Sequence, residues 1–112
     1  MPLAIIYASS KNKVNFLKKI LPDLREFIAN KLTCGNRKIN PNEVSIKILT
    51  SEEQLQIADI EVMVTAYSYS ERVKNQDQIC LEIKEFISSK NKSFSSVFVW
   101  LQLSELGHSV EE

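Results

Sequence analysis

The chain has 112 residues, 44% apolar and 25% charged, enough for one two-layer core and a single domain over 1–112. Its 14 basic residues balance 14 acidic ones, so no long-range positive field gathers nucleic acid or an anionic membrane. With one histidine and two separated cysteines, Cys34 and Cys80, a Cys/His zinc site is not available, and two isolated thiols suit a reducing compartment.

No apolar run reaches membrane-spanning length. The start lacks the basic region and long apolar stretch of a secretory signal. A cytoplasmic protein is the expectation.

Residues 1–7 are an almost unbroken apolar run of strand length with proline at position 2. Such a run reads as a strand buried on both faces, and proline is tolerated in a sheet at a strand's first residue. A polar turn follows at 8–12. Val14, Leu17, Leu21, Leu24, Ile28 and Leu32 then recur at three- and four-residue steps, the stripe of a helix lying on a sheet. Pro22 implies a kink, or a new helix starting near that point. Gly35 is placed to end the helix as a left-handed C′ residue.

Residues 35–42 form the most turn-rich stretch, and 44–48 alternate like a half-buried strand. Ser51 with Gln54 resembles a capping box and predicts a short helical turn through Ile57. Residues 61–67 read as a third strand, 68–74 as a polar connection, and Asn75 as the start of a second helix carrying Ile79, Cys80, Ile83, Phe86 and Ile87. A polar loop leads to a fourth strand over 97–103.

Strand–helix–strand thus occurs twice, at 3–49 and 61–103. The class is α+β, two βαβ units with helices packed on a sheet. Two architectures satisfy this order. In one, the units join side by side into a four-stranded mixed sheet with both helices on one face. In the other, the ferredoxin-like βαββαβ arrangement, strands one and two are separated by another strand.

Pro2 also carries a chemical possibility. If Met1 is removed, the chain starts with a secondary amine at the mouth of a buried strand. Burial and nearby cations disfavour the charged amine and leave a base at neutral pH. Such a base takes a proton from carbon next to a carbonyl, and the enolate needs cations or donors at its oxygen.

Met1-Pro2 opening a strand, Leu21-Pro22-Asp23-Leu24 in the first helix, 62–67 followed by Glu71-Arg72, and Gln76-Asp77-Gln78-Ile79 leading the second helix carry a resemblance. In these features the chain resembles the tautomerase superfamily, which includes 4-oxalocrotonate tautomerase, carboxymethyl-hydroxymuconate isomerase and macrophage migration inhibitory factor. Within it, the chain is most similar to an uncharacterised bacterial branch. The resemblance implies the side-by-side βαβ fold, a homotrimer, a small pocket around Pro2 at each subunit boundary, and no cofactor or metal.

The resemblance also implies which residues serve the pocket. Pro2 would be the base for keto–enol tautomerisation of a small 2-oxo acid. Arg72 would bind carboxylate or stabilise the enolate, since its fork matches that geometry. Arg37 and Lys38 lie in a loop where some members place a cation. Tyr67 and Tyr69 could donate a phenolic hydrogen bond. Each has a plainer reading, as solvated loop charge or amphipathic wall.

Lys47 reads as a solvent-face strand residue, Trp100 as core or subunit interface, and His108 as a surface residue of the tail. Asp23, Glu71 and Asp77 show no catalytic pair spacing, and two glycines make no phosphate loop. The rival reading is a non-catalytic oligomeric binding or regulatory domain. An RNA-binding sheet is disfavoured by neutral charge and the lack of an aromatic run with basic residues.

Overall fold

The computed structural model describes residues 2–35, 37–51, 54–91, 94 and 96–105. Chain order is β1 (Leu3–Ala8), α1 (Lys11–Leu32), a 3-10 turn (Pro41–Glu43), β2 (Ser45–Leu49), β3 (Ile60–Tyr67), α2 (Ser70–Lys74), α3 (Gln76–Lys90) and β4 (Val97–Ser104). The sheet order is β2-β1-β3-β4. β1 pairs with β2 in parallel, β3 with β4 in parallel, and β1 with β3 antiparallel. Each unit therefore keeps its own two strands together, and the units meet through their first strands. Parallel adjacency of β1 and β2 selects the side-by-side arrangement over the ferredoxin-like one.

One face of the sheet carries both long helices. Ala4, Ile6 and Ala8 of β1 and Ile60, Val62, Val64 and Ala66 of β3 point into that layer and are fully buried. They meet Leu17, Leu24 and Ile28 of α1 and Ile83 and Ile87 of α3 in one core. The continuous apolar run at 3–8 nevertheless alternates in burial, because among the described residues no layer covers the opposite face.

α1 runs unbroken through Pro22, which is exposed. The proline cannot donate to the carbonyl four residues earlier, and that carbonyl belongs to the exposed Lys18, on the side where water is at hand. Three local expectations change. Thr33 caps α1, and Gly35 is left-handed (φ +51°) two residues beyond that cap, inside a turn rather than at C′. The residues from Gln54 to Ile57 form no helical turn. Ser51 N–H donates to Gln54 Oε1 at 3.1 Å, as in a capping box, and Gln54 Nε2 donates to the Ala8 carbonyl at 3.0 Å and ties the segment to β1. The stretch at 68–74, expected as an irregular connection, contains α2.

Candidate active site

Topology decides which side chains can share a site. β1 and β2 start, and β3 and β4 finish, at the same end of the sheet. Pro2 stands at that end, on a central strand. Its carbonyl accepts a hydrogen bond from Ser45 N–H at 3.1 Å, and the next residue, Leu3, lies opposite Thr65. A proline has no N–H to offer, and just outside the ladder that loss is cheapest. Pro2 is buried.

Arg72 approaches the same end from α2. It is only 3% exposed, the one buried charged residue among those described. Its Nε donates to the Leu32 carbonyl at 2.9 Å and its Nη1 to the Tyr67 carbonyl at 3.0 Å. Leu32 is the last residue of α1, so its carbonyl has no partner within the helix and lies at the negative end of the helix dipole. Arg72 satisfies it and ties that helix end to the end of β3. The guanidinium carbon also lies 4.8 Å from the centre of the Tyr69 ring. Burial pushes the Arg72 guanidinium below its ordinary value and Arg37 acts in the same direction, while Cys34 and Tyr69 oppose them. An arginine stays protonated through such a shift.

Glu71, the residue before it, accepts the Gly35 N–H on Oε2 at 3.0 Å. Two consecutive residues of α2 thus hold two neighbouring points, the end of α1 and the turn after it. In that turn Cys34 N–H donates to the Arg37 carbonyl at 3.1 Å, and Arg37 N–H returns a bond to the Cys34 carbonyl at 2.8 Å. The exit is anchored by buried Ile39, whose N–H donates to Thr33 Oγ1 at 3.1 Å. Arg37 and Lys38 project from this anchored turn and are exposed. A groove of about 320 Å³ lies alongside, with Thr33, Cys34, Glu71, Arg72, Asn75 and Glu82 among its walls.

The structure therefore brings Pro2, the 34–38 turn, Arg72, Tyr67 and Tyr69 to one end of the sheet. The two tyrosine rings lie 4.9 Å apart, tilted by 50°. Tyr67 is exposed and Tyr69 half-buried against Arg72. Lys47 and Trp100 lie elsewhere on the helix-free face, while Gln102, on that face too, stands in the row of Thr65 and Leu3 at the Pro2 end. Asp23 and Asp77 are exposed helix residues, and His108 lies outside the described residues. Cys80 is half-buried on α3, and burial pushes its thiol up. Among the described residues no group of three His, Cys, Asp or Glu side chains could hold a metal ion. The bonds from α2 to Leu32 and Gly35 join residues far apart in the chain, and only Gly35 marks one of them in sequence.

Two βαβ units side by side in one sheet are the fold that this chain shares with solved macrophage migration inhibitory factor-like proteins. A macrophage migration inhibitory factor-like protein from Entamoeba histolytica superposes with a TM-score of 0.63 at 12% identity, over 94% of this chain and 88% of that one. A protein of unknown function from Vibrio cholerae O1 biovar eltor gives 0.67 at 15% identity, over 93% and 78%. A second macrophage migration inhibitory factor, Leishmania major MIF2, gives 0.52 at 12% identity, over 93% and 88%. No family model matches the chain, and no curated protein matches it. The resemblance read from the residues is thus borne out at the level of the fold.

Proposed function

We propose that the chain is a tautomerase in which Pro2, freed of Met1, is the general base for keto–enol tautomerisation of a small 2-oxo acid. The observation that carries this reading is the position of Pro2. It is buried at the mouth of a central strand, at the end of the sheet where three cations and two tyrosines also gather. A buried amine beside cations loses its proton readily and can accept one from carbon. The exposed Arg37 and Lys38 are the cations free to meet a substrate carboxylate. Tyr67 and Tyr69 supply phenolic donors. Arg72 serves by bracing the wall from which they project and by lending positive charge to the site. In this reading a neighbouring copy closes the pocket over Pro2, and the working protein is a cytoplasmic homotrimer needing no cofactor. Among the described residues no helix is long and apolar enough to cross a membrane.

Intact mass of the native protein reports whether Met1 is removed. Ketonisation of phenylpyruvate or 2-hydroxymuconate is then followed for wild type and Pro2→Ala. Loss of the base is expected to lower the rate by about 10²- to 10⁴-fold. A retained methionine, or equal rates, defeats the proposal. The second reading is a non-catalytic oligomeric domain. It is favoured by one observation, that Arg72 gives two of its donor nitrogens to backbone carbonyls.

A further inference from the structure

The turn that carries Arg37 and Lys38 is held at its base and at its tip, by different means. At the base, Thr33 Oγ1 accepts the Ile39 N–H at 3.1 Å and Arg72 holds the Leu32 carbonyl. Above them Cys34 and Arg37 exchange backbone bonds in both directions, so the two residues between them close a two-residue hairpin. Gly35 is its first central residue, with φ +51°, the left-handed conformation that such hairpins demand. A turn of this kind bonds the carbonyl of its first residue to the N–H of its fourth, which leaves the first central N–H without a partner in the hairpin.

Glu71 supplies that partner from 36 residues away, its Oε2 accepting the Gly35 N–H at 3.0 Å. A Cβ on residue 35 would stand 3.4 Å from Glu71 Oε1, so the carboxylate lies directly against the glycine. Among the described residues Glu71 forms no ion pair with Arg37 or Lys38. It grips the backbone of their turn and leaves their charges open. Its own place is fixed, because the next residue of α2 is the buried Arg72.

We infer that Glu71 is a positioning residue: by holding the Gly35 N–H it fixes where Arg37 and Lys38 stand, and so sets the preference of the site for a substrate that bears a carboxylate. The inference rests on the reading of Arg37 and Lys38 as the cations that meet that carboxylate. Cations on a loose turn have to be ordered when the substrate arrives, and that ordering lowers affinity. A turn already pinned at its tip avoids the loss.

The test compares phenylpyruvate with its ethyl ester, which lacks the negative charge. Glu71→Ala is expected to raise KM for phenylpyruvate about tenfold, keep kcat within about twofold, and leave the ester unaffected. Glu71→Gln, whose amide oxygen still accepts the Gly35 N–H, should recover most of the loss. In a chain that already carries Arg37→Ala and Lys38→Ala, adding Glu71→Ala should change nothing further, since no cations are left to place. A merely structural role would add the same factor in both backgrounds and weaken acid and ester alike. That result overturns the inference, as does a Glu71→Gln chain impaired as deeply as Glu71→Ala. Pro2→Ala separates the turn from the base. In that background, calorimetric titration with phenylpyruvate should keep the same order among the Glu71 variants even with turnover lost. If Pro2→Ala turns over phenylpyruvate as fast as wild type, the base falls and the KM pattern still decides Glu71. If wild type neither binds nor turns over phenylpyruvate at millimolar concentration, the turn holds no carboxylate and the inference falls. Circular dichroism of each variant separates lost binding from lost folding.

Discussion

The two ends of the sheet are closed by different chemistry. At the far end, where β1 and β2 finish, neutral side chains bond the strand-end backbone, and one ion pair, Lys13 with Asp59 at 3.2 Å, lies beside them. Gln56 Nε2 lies 2.8 Å from the Tyr7 carbonyl and 2.9 Å from that of Ala58, Gln54 Nε2 reaches Ala8, and Ser96 Oγ accepts the Asp59 N–H at 3.0 Å. At the end where Pro2 lies, the corresponding work falls to an ionised pair of neighbours, Glu71 and Arg72. At the far end the strand-end carbonyls are met by neutral amides, and the charges of Lys13 and Asp59 offset each other. The other end keeps Arg72 inside and Arg37 and Lys38 outside, with the Glu71 carboxylate on the Gly35 N–H.

Arg72→Met breaks this contrast most sharply. It keeps much of the side-chain volume and removes the donors for Leu32 and Tyr67. Leaving two such carbonyls unmet in a buried site is expected to lower stability by about 3 kcal/mol, since each orphaned group costs about 1–3 kcal/mol. Denaturant melts measure it. Arg72→Lys, which carries charge but not the fork, should recover only part of the loss. A change within experimental error would mean that the bonds are incidental and that the arginine is free to meet a ligand.

The far-end counterpart is Gln56→Ala. It removes one neutral donor group from the Tyr7 and Ala58 carbonyls at a half-buried site, and a loss of about 1 kcal/mol is expected in the same melts. The order matters more than either number. If Gln56→Ala cost as much as Arg72→Met, the two ends would be equivalent and the charged closure would have no special weight.

The same contrast marks what the sequence makes legible. β1, β3 and β4 declare themselves by apolar runs, and α1 and α3 by stripes of period 3.6, because each element's burial is written in its own residues. The pairing of β1 with β2 is not written there, since both candidate architectures bury the same residues. α2 is five residues long, too short for a periodic signal, and its stability comes from contacts to Leu32 and Gly35 rather than from propensity. For that reason Arg72 reads as a loop cation in sequence and proves buried. The segment after Ser51 fails in the opposite sense: Gln54 Oε1 accepts the Ser51 N–H as the partner of a cap would, yet its Nε2 ties it to the Ala8 carbonyl and no helical turn follows. Pro2 is legible as a strand opener. Its company is not, because the 34–38 turn and the end of β3 meet it only through the sheet order.

The smallest effect expected is at the rim of the charged end. Lys31 and Glu82 bridge α1 and α3 at 2.8 Å, and Gln78 Nε2 donates to the same carboxylate at 3.0 Å. These bonds, that from Lys31 first, hold the Glu82 carboxyl below its ordinary value. A carboxylate whose folded-state value is depressed contributes stability at pH above its unfolded value, near about 4.3, and loses it as pH falls through the lower, folded one. The stability gap between wild type and Glu82→Gln should therefore be flat above about pH 5 and shrink on acidification below about 4.3. Salt should narrow the gap as well, because both partners of the pair are reached by solvent. A gap that widened on acidification would mean that Glu82 is held protonated in the folded chain and that its contact with Lys31 is not an ion pair.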